Sequence, residues 1–240
     1  MQKKSNKNKK LKIKNIIIIF ILAIVVYIAF VFKEGYDMYS TAISETSIES
    51  RLNKLKSIPH YTPIDKIPKD FKNAIIAIED NRFFIHGAID FKSIARATVT
   101  NIKTKSLAEG GSTITQQLAK NMYFSRKKEF SRKIAEVFVA HDLEKNFTKS
   151  QILEAYINII YYGDGYTGIG QASIGYFEKE PLELTLNEQT LLAGLPNAPS
   201  MLALSSNSSL AKERQDMVLD AMSRYNYISA EQINSIKNKE

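Results

Sequence analysis

Neither cysteine nor tryptophan occurs among the 240 residues. Without cysteine there is no disulfide framework and no thiol nucleophile, and the absence fits an exported domain that avoids uncontrolled thiol chemistry. No Gly-Lys-Ser/Thr triplet is present, which excludes a Walker A nucleotide loop. No group of His, Cys, Asp or Glu has the spacing of a metal-ligand motif. Internal repeats are missing, and alternating strand patterns are scarce. Acidic residues are absent until Glu34, whereas the first fourteen residues, MQKKSNKNKKLKIK, carry seven lysines. Setting those seven aside leaves 26 basic residues against 25 acidic ones, so the formal charge of +8 belongs to the N-terminal tail. The basic pI therefore gives no support to a nucleic-acid partner, and none is expected.

The chain does have one long apolar run, IIIIFILAIVVYIAFVF, which is Ile16 to Phe32 and holds no charge and no helix breaker. At about 1.5 Å per residue, seventeen residues lie near the lower limit for crossing a bilayer core, and Leu11 and Ile13 extend them. The end of the run, AFVFKEG, has no small-x-small cleavage site, so an uncleaved anchor is expected rather than a signal peptide. Lysines on its N-terminal side predict a single-pass membrane protein with a cytoplasmic N-terminus and an extracytoplasmic catalytic domain. The expected organisation is a basic cytoplasmic tail over 1–15, a transmembrane anchor over 16–32, a polar connector over 33–67 that includes SIPHYTPIDKIP, and a folded domain over 68–240.

The folded part reads as mostly α. Capping boxes mark helix starts at Thr148 with Gln151, Thr185 with Glu188 and Ser229 with Gln232. Ala74, Ile75 and Ile78, and likewise Ile134, Val137 and Phe138, recur at helical spacing. Helices are also expected near Leu210 to Tyr225 and Ala230 to Lys237.

Three stretches carry the chemistry. In EGGSTITQQLAKN, Thr113 and Gln116 form a further capping box, so Gly110 and Gly111 precede a helix whose N-terminus favours an anion. Gln116, Gln117 and Lys120 are spaced to share one face, suited to a phosphate or a sugar. Upstream, AIIAIEDNRFFIHGAID ends an apolar helix in the adjacent carboxylates Glu79 and Asp80, followed by Arg82, His86 and Asp90. A carboxylate at the edge of an apolar segment is a candidate acid or base. Downstream, SRKIAEVFVAHDLEK sets Arg132 and Glu136 four apart, a spacing that by itself most often means a surface salt bridge.

Taken together, EDNRFFIHGAID, GGSTITQQLAKN, RKIAE, ILEAYINIIYYG and GYTGIGQASIGYF…LLAGLPNAPS resemble the successive motifs of the peptidoglycan glycosyltransferases, glycosyltransferase family 51, related to the glycosyltransferase domain of class A penicillin-binding proteins. The resemblance covers about Ile67 to Ser200. It implies a mostly α, lysozyme-like fold that polymerises lipid II, a disaccharide-peptide on undecaprenyl diphosphate, into β-1,4-linked glycan strands with inversion at the anomeric carbon. Glu79 matches the family's general base. Glu136 matches its second catalytic glutamate, and Lys120, Lys128 and Arg132 match positions near the diphosphate. Ser112, Thr113, Gln117 and Asn121 match positions lining the cleft, while Asp80 and His86 are expected to support the loop. The resemblance also implies inhibition by moenomycin, no organic cofactor, and leaves open a Mg²⁺ ion bridging the diphosphate and a carboxylate. Lipid II, the growing strand and the membrane are the implied partners, with cell-wall synthesis or division proteins as further ones.

The chain departs from the family pattern at two places. The glycine after His86 comes one position early, as Gly87, and Lys128 stands where arginine is usual, which keeps the charge and loses the bidentate fork. Ser125 to Lys128 and Ser209 to Lys212 fit S-x-x-K, but no K-T-G follows. With about forty residues after the last motif, a monofunctional glycosyltransferase is expected. A lysozyme-like lytic enzyme and a catalytically silent scaffold that binds lipid II are the alternatives. Met122, Tyr123, Phe124 and Phe130, interleaved with Lys127, Lys128 and Lys133, are equally compatible with a headgroup-facing surface and with core.

Overall fold

The computed structural model describes residues 2–105, 110–124 and 130–238, with side chains from residue 13 onward. The chain is mostly α, as its periodicity predicts. In order, the α-helices are α1 (Gln2–Glu45), α2 (Ile48–Leu55), α3 (Lys69–Glu79), α4 (Phe91–Thr104), α5 (Ile114–Tyr123), α6 (Phe130–Asn146), α7 (Lys149–Ile159), α8 (Ile169–Phe177), α9 (Leu186–Gly194), α10 (Pro199–Leu202), α11 (Ser208–Arg224) and α12 (Ala230–Lys237). Among the described residues the strands are confined to one antiparallel pair, β1 (Tyr161–Gly163) and β2 (Tyr166–Thr167). All four capping boxes read from the sequence form, at Thr113, Thr148, Thr185 and Ser229.

The apolar run lies inside α1 with its side chains exposed, and its length and composition suit it to cross a membrane. Polarity alone makes 33–67 look like a connector, but the structure builds it into the domain. The helix continues without a break to Glu45 and packs along α6. Gly35 is buried at that crossing, and a Cβ there would lie 2.6 Å from the Ser131 carbonyl oxygen and 2.7 Å from Ile134 Cβ. Only glycine allows so close an approach. Phe138 receives the rings of Phe32, Tyr36 and Tyr39, with centroids 5.7, 5.4 and 5.3 Å away, and the Tyr39 hydroxyl donates to Asp142 at 2.6 Å. The apolar stripe of Ile134 and Phe138 is thus spent on α1, while Ala135, Val139, Ala140 and Leu143 face the domain's interior.

Farther along, Arg51 donates to the Met122 carbonyl and stacks over Tyr123, whose hydroxyl donates to the Thr46 carbonyl at 2.9 Å. Asn158 ties the next segment to α7, accepting from the Thr62 amide and donating to the Thr62 carbonyl, each at 2.8 Å. Polar residues predominate here because the segment bonds through its backbone and capping groups, which composition does not distinguish from a linker.

At the centre stands α3, packed against α9 and α11, while α5 lies between α6 and α7. Phe71, Ala74 and Ile75 of α3 are wholly buried with Leu118, Val139, Leu143, Tyr156, Leu192 and Met222. Each such large apolar side chain contributes about 1.5–3 kcal/mol by leaving water. The helix stops where Asp80 leaves the helical region (φ −158°, ψ 74°), so Glu79 closes the last turn and Asp80 opens the loop.

Candidate active site

A cleft of about 810 Å³ opens beside the end of α3 and is walled by α4, the start of α5, the start of α6, and α11. The fold brings Glu79, Asp80, Ser112, Thr113, Gln117, Lys120, Arg132 and Glu136 to it. Of the other residues singled out in the sequence, Asn121 turns away and donates to the Gln117 carbonyl, His86 sits behind Asp80, and Lys128 lies outside the described residues. The cleft also collects Lys133 and Asn197, which lie inside quoted motifs without having been singled out as site residues, and Arg214, which lies outside every motif.

Glu79 is held from one side. Gln117 Nε2 donates to its Oε2 at 2.8 Å, and the Tyr156 hydroxyl in turn donates to Gln117 Oε1 at 3.1 Å. Arg214 Nη2 lies 3.8 Å from Glu79 Oε1. Neither Glu79 Oε1 nor Arg214 Nε, both buried, has a hydrogen-bond partner among the described residues. Burial disfavours the Arg214 charge and the Glu79 carboxylate favours it, the balance leaving the guanidinium below its ordinary pKa.

Asp80 is engaged through both of its carboxylate oxygens. Its Oδ1 pairs with His86 Nε2 at 2.7 Å, and its Oδ2 accepts the Ile114 amide at 3.0 Å. Burial opposes the charge on His86, but hydrogen bonds to Asp80 and to the Gly87 carbonyl outweigh it, and the imidazole titrates above its ordinary pKa. The Ile114 bond corrects one expectation: the first free amide of α5 is satisfied by Asp80, and the Gln116 amide by Thr113, so the glycine-preceded helix start is already engaged. Gln116 is another correction, because its side chain is buried and returns to the Thr113 amide instead of sharing the cleft face with Gln117 and Lys120. Gly111 also serves packing, since a Cβ there would lie 3.2 Å from Ile94 Cα.

The cationic side of the cleft comes from α5 and α6. Glu136 is 1 % exposed, accepts from Arg132, and accepts from Lys133 at 2.9 Å. The pair with Arg132 is therefore no surface bridge: a buried carboxylate holds two cations at the cleft wall, a pairing whose loss on one side is costly. Lys133 also donates to Ser112 Oγ at 2.9 Å. Burial, followed by the positive charges of Arg132 and Lys120, lowers its pKa to about 8. Met122 belongs to the core and Phe130 is exposed, which divides the mixed aromatic and lysine stretch between the two roles considered for it.

One group of metal-compatible residues is assembled by folding, which spacing along the chain did not reveal: ligand atoms of Asp80, His86 and Asp90 lie within 4.8 Å of one another. Their oxygens are already taken. Asp90 accepts from Arg82, Ser93 and the Lys92 amide, and together these donors outweigh burial and hold its pKa near 2. The group fits an internal brace for the loop and does not fit a metal site.

A family model described as Transglycosylase matches residues 47–223. Penicillin-binding protein 1F of Bacillus subtilis is 39 % identical over 238 residues, which is 94 % of this chain and 33 % of that protein. A Cupriavidus necator protein whose name carries the word transglycosylase is 43 % identical over 178 residues, 74 % of this chain and 77 % of that one. Penicillin-binding protein 1A of Aquifex aeolicus is 39 % identical over 207 residues, and the chain spans 27 % of its length. The chain thus spans about a third or less of the penicillin-binding relatives it matches.

Proposed function

The chain belongs to the transglycosylase family, and on that footing we propose that it is a peptidoglycan glycosyltransferase that polymerises lipid II at the outer face of the membrane. Glu79 is the general base. It takes the proton of the acceptor sugar's 4-hydroxyl as that oxygen bonds the anomeric carbon of the growing chain, and the bond from that carbon to the diphosphate breaks with its electron pair going to undecaprenyl diphosphate. The single observation that carries the proposal is the state of Glu79: Oε2 is fixed by Gln117, while the buried Oε1 has no donor among the described residues and borders the cleft. A base needs one oxygen positioned and one oxygen available.

The leaving diphosphate is already an anion, so it requires cations more than a proton. Lys120, Arg132 and Lys133 supply them, and buried Glu136 sets the direction of the last two. Lys128, outside the described residues, is assigned to the same set by the family resemblance alone. Glu136 is engaged by these cations and Asp80 and Asp90 are engaged elsewhere, and the divalent ion that the resemblance leaves open is given no step here. The apolar span of α1 holds the cleft near a substrate whose isoprenoid tail stays in the bilayer, with the lysine tail on the cytoplasmic side.

The test is polymerisation of lipid II by the purified full-length chain beside Glu79→Gln, with the strands resolved on a gel. Strands from the parent and none from a folded variant are expected. Full activity in Glu79→Gln would remove the base assignment; muropeptide release from finished wall would favour the lytic alternative, and binding of lipid II without turnover would favour a scaffold.

A further inference from the structure

Tyr156 lies wholly inside the protein, on α7, and takes no part in the chemistry above. Its ring packs in the core, yet its hydroxyl reaches Gln117 Oε1 at 3.1 Å, on the side of that amide away from Glu79. We infer that the Tyr156 hydroxyl is a positioning group for Glu79, acting through the orientation of the Gln117 amide.

A primary amide has two ends of nearly equal size, and only hydrogen bonding decides which way it points. The amide oxygen can only accept and the NH₂ can only donate. A buried hydroxyl needs an acceptor for its proton, and the structure gives the Tyr156 proton to Gln117 Oε1. That choice turns Nε2 toward Glu79 Oε2, where it donates at 2.8 Å. Turned over, the amide would set Oε1 against Oε2, two acceptors facing one another, and only a protonated Glu79 could relieve the clash by donating. A protonated Glu79 cannot accept a proton from the acceptor hydroxyl. If Glu79 is the base, as proposed above, Tyr156 therefore selects the ionised and reactive form from a distance, without touching substrate. The influence is mutual, since burial first and then the Glu79 charge raise the Tyr156 phenol well above its ordinary pKa, and the hydroxyl remains a donor at any working pH.

Tyr156→Phe keeps the ring and removes the hydroxyl. In the full-length chain labelled with side-chain ¹⁵N glutamine, the Gln117 NH₂ signal is assigned by its loss in Gln117→Leu. The expected result is that Tyr156→Phe speeds exchange of this NH₂ with water by roughly tenfold and moves the acidic limb of kcat/KM to higher pH, with the unfolding temperature little changed. In a Gln117→Leu background Tyr156→Phe is expected to have no further effect on kcat, because the two residues act in series. An unchanged Gln117 signal with an unchanged acidic limb would overturn the inference, and so would additive losses in the double variant. A Glu79→Gln chain that still makes strands would remove the base assignment alone, since the amide measurement decides the Tyr156 orientation effect without reference to turnover.

Discussion

Arg214 Nη2 stands 3.8 Å from Glu79 Oε1, near enough for charge attraction and beyond hydrogen-bond reach. The two groups come from α11 and α3, which pack against each other through the centre of the domain. The guanidinium therefore favours the ionised carboxylate while leaving its oxygen open to another donor. If Glu79 is the base, as proposed, Arg214→Met is expected to lower kcat/KM by about tenfold or more, because the cation beside that carboxylate is gone. Arg214→Lys restores part of the rate. Polymerisation rates check both outcomes, and an Arg214→Met chain with parental rates would refute the role.

The lowered pKa of Lys133, about 8, gives the free enzyme a basic limit. The cation is present below that value and fades as pH rises through it, so kcat/KM, which reports the free enzyme, is expected to fall above pH about 8. Lys133→Arg keeps the charge to far higher pH and moves the fall upward. A basic limb identical in the parent and in Lys133→Arg would show that another group causes it.

Asp80 and His86 yield a stability prediction. Both side chains are nearly buried, 3 % and 5 % exposed, and the imidazole pKa is raised on folding. A raised folded value means that the ion pair's contribution is complete below the unfolded pKa of about 6.5 and is lost as pH rises through the higher folded one. His86→Gln is therefore expected to destabilise the chain by about 1.5–3 kcal/mol in mildly acid solution and by distinctly less in mildly alkaline solution. Thermal unfolding of both chains at two pH values provides the measurement, and a penalty that does not shrink with rising pH would contradict it.

Local signals carried further in the sequence than distant ones. Thr113 with Gln116 and Thr148 with Gln151 announced helix starts because a capping box is complete within four residues. Glu79, Gln117 and Arg132 stood out through motifs that keep their spacing. Arg214 did not, because LAKERQDMV reads as an ordinary half-solvated helix and nothing in it records that its arginine meets a carboxylate of α3. Arg132 and Glu136 were visible as a pair, but their burial was not: the i,i+4 spacing is the same on a surface and beneath one. The acidic and histidine group at the loop escaped notice for a related reason, since Asp80, His86 and Asp90 converge only after the chain leaves α3 and turns back.

The unbroken course of α1 has a mechanical consequence. A flexible tether would let the domain roam above the bilayer, whereas a helix with no hinge acts as a stilt of fixed height. Gly35 follows the end of the apolar run by three residues, about 4.5 Å at helical rise, and there the stilt is bolted to α6 beside Ser131, one residue from Arg132. A bilayer that grips the run would set both the altitude and the heading of the cation wall, so a change in membrane thickness or helix tilt would be felt by Arg132 and Lys133 as a change in aim.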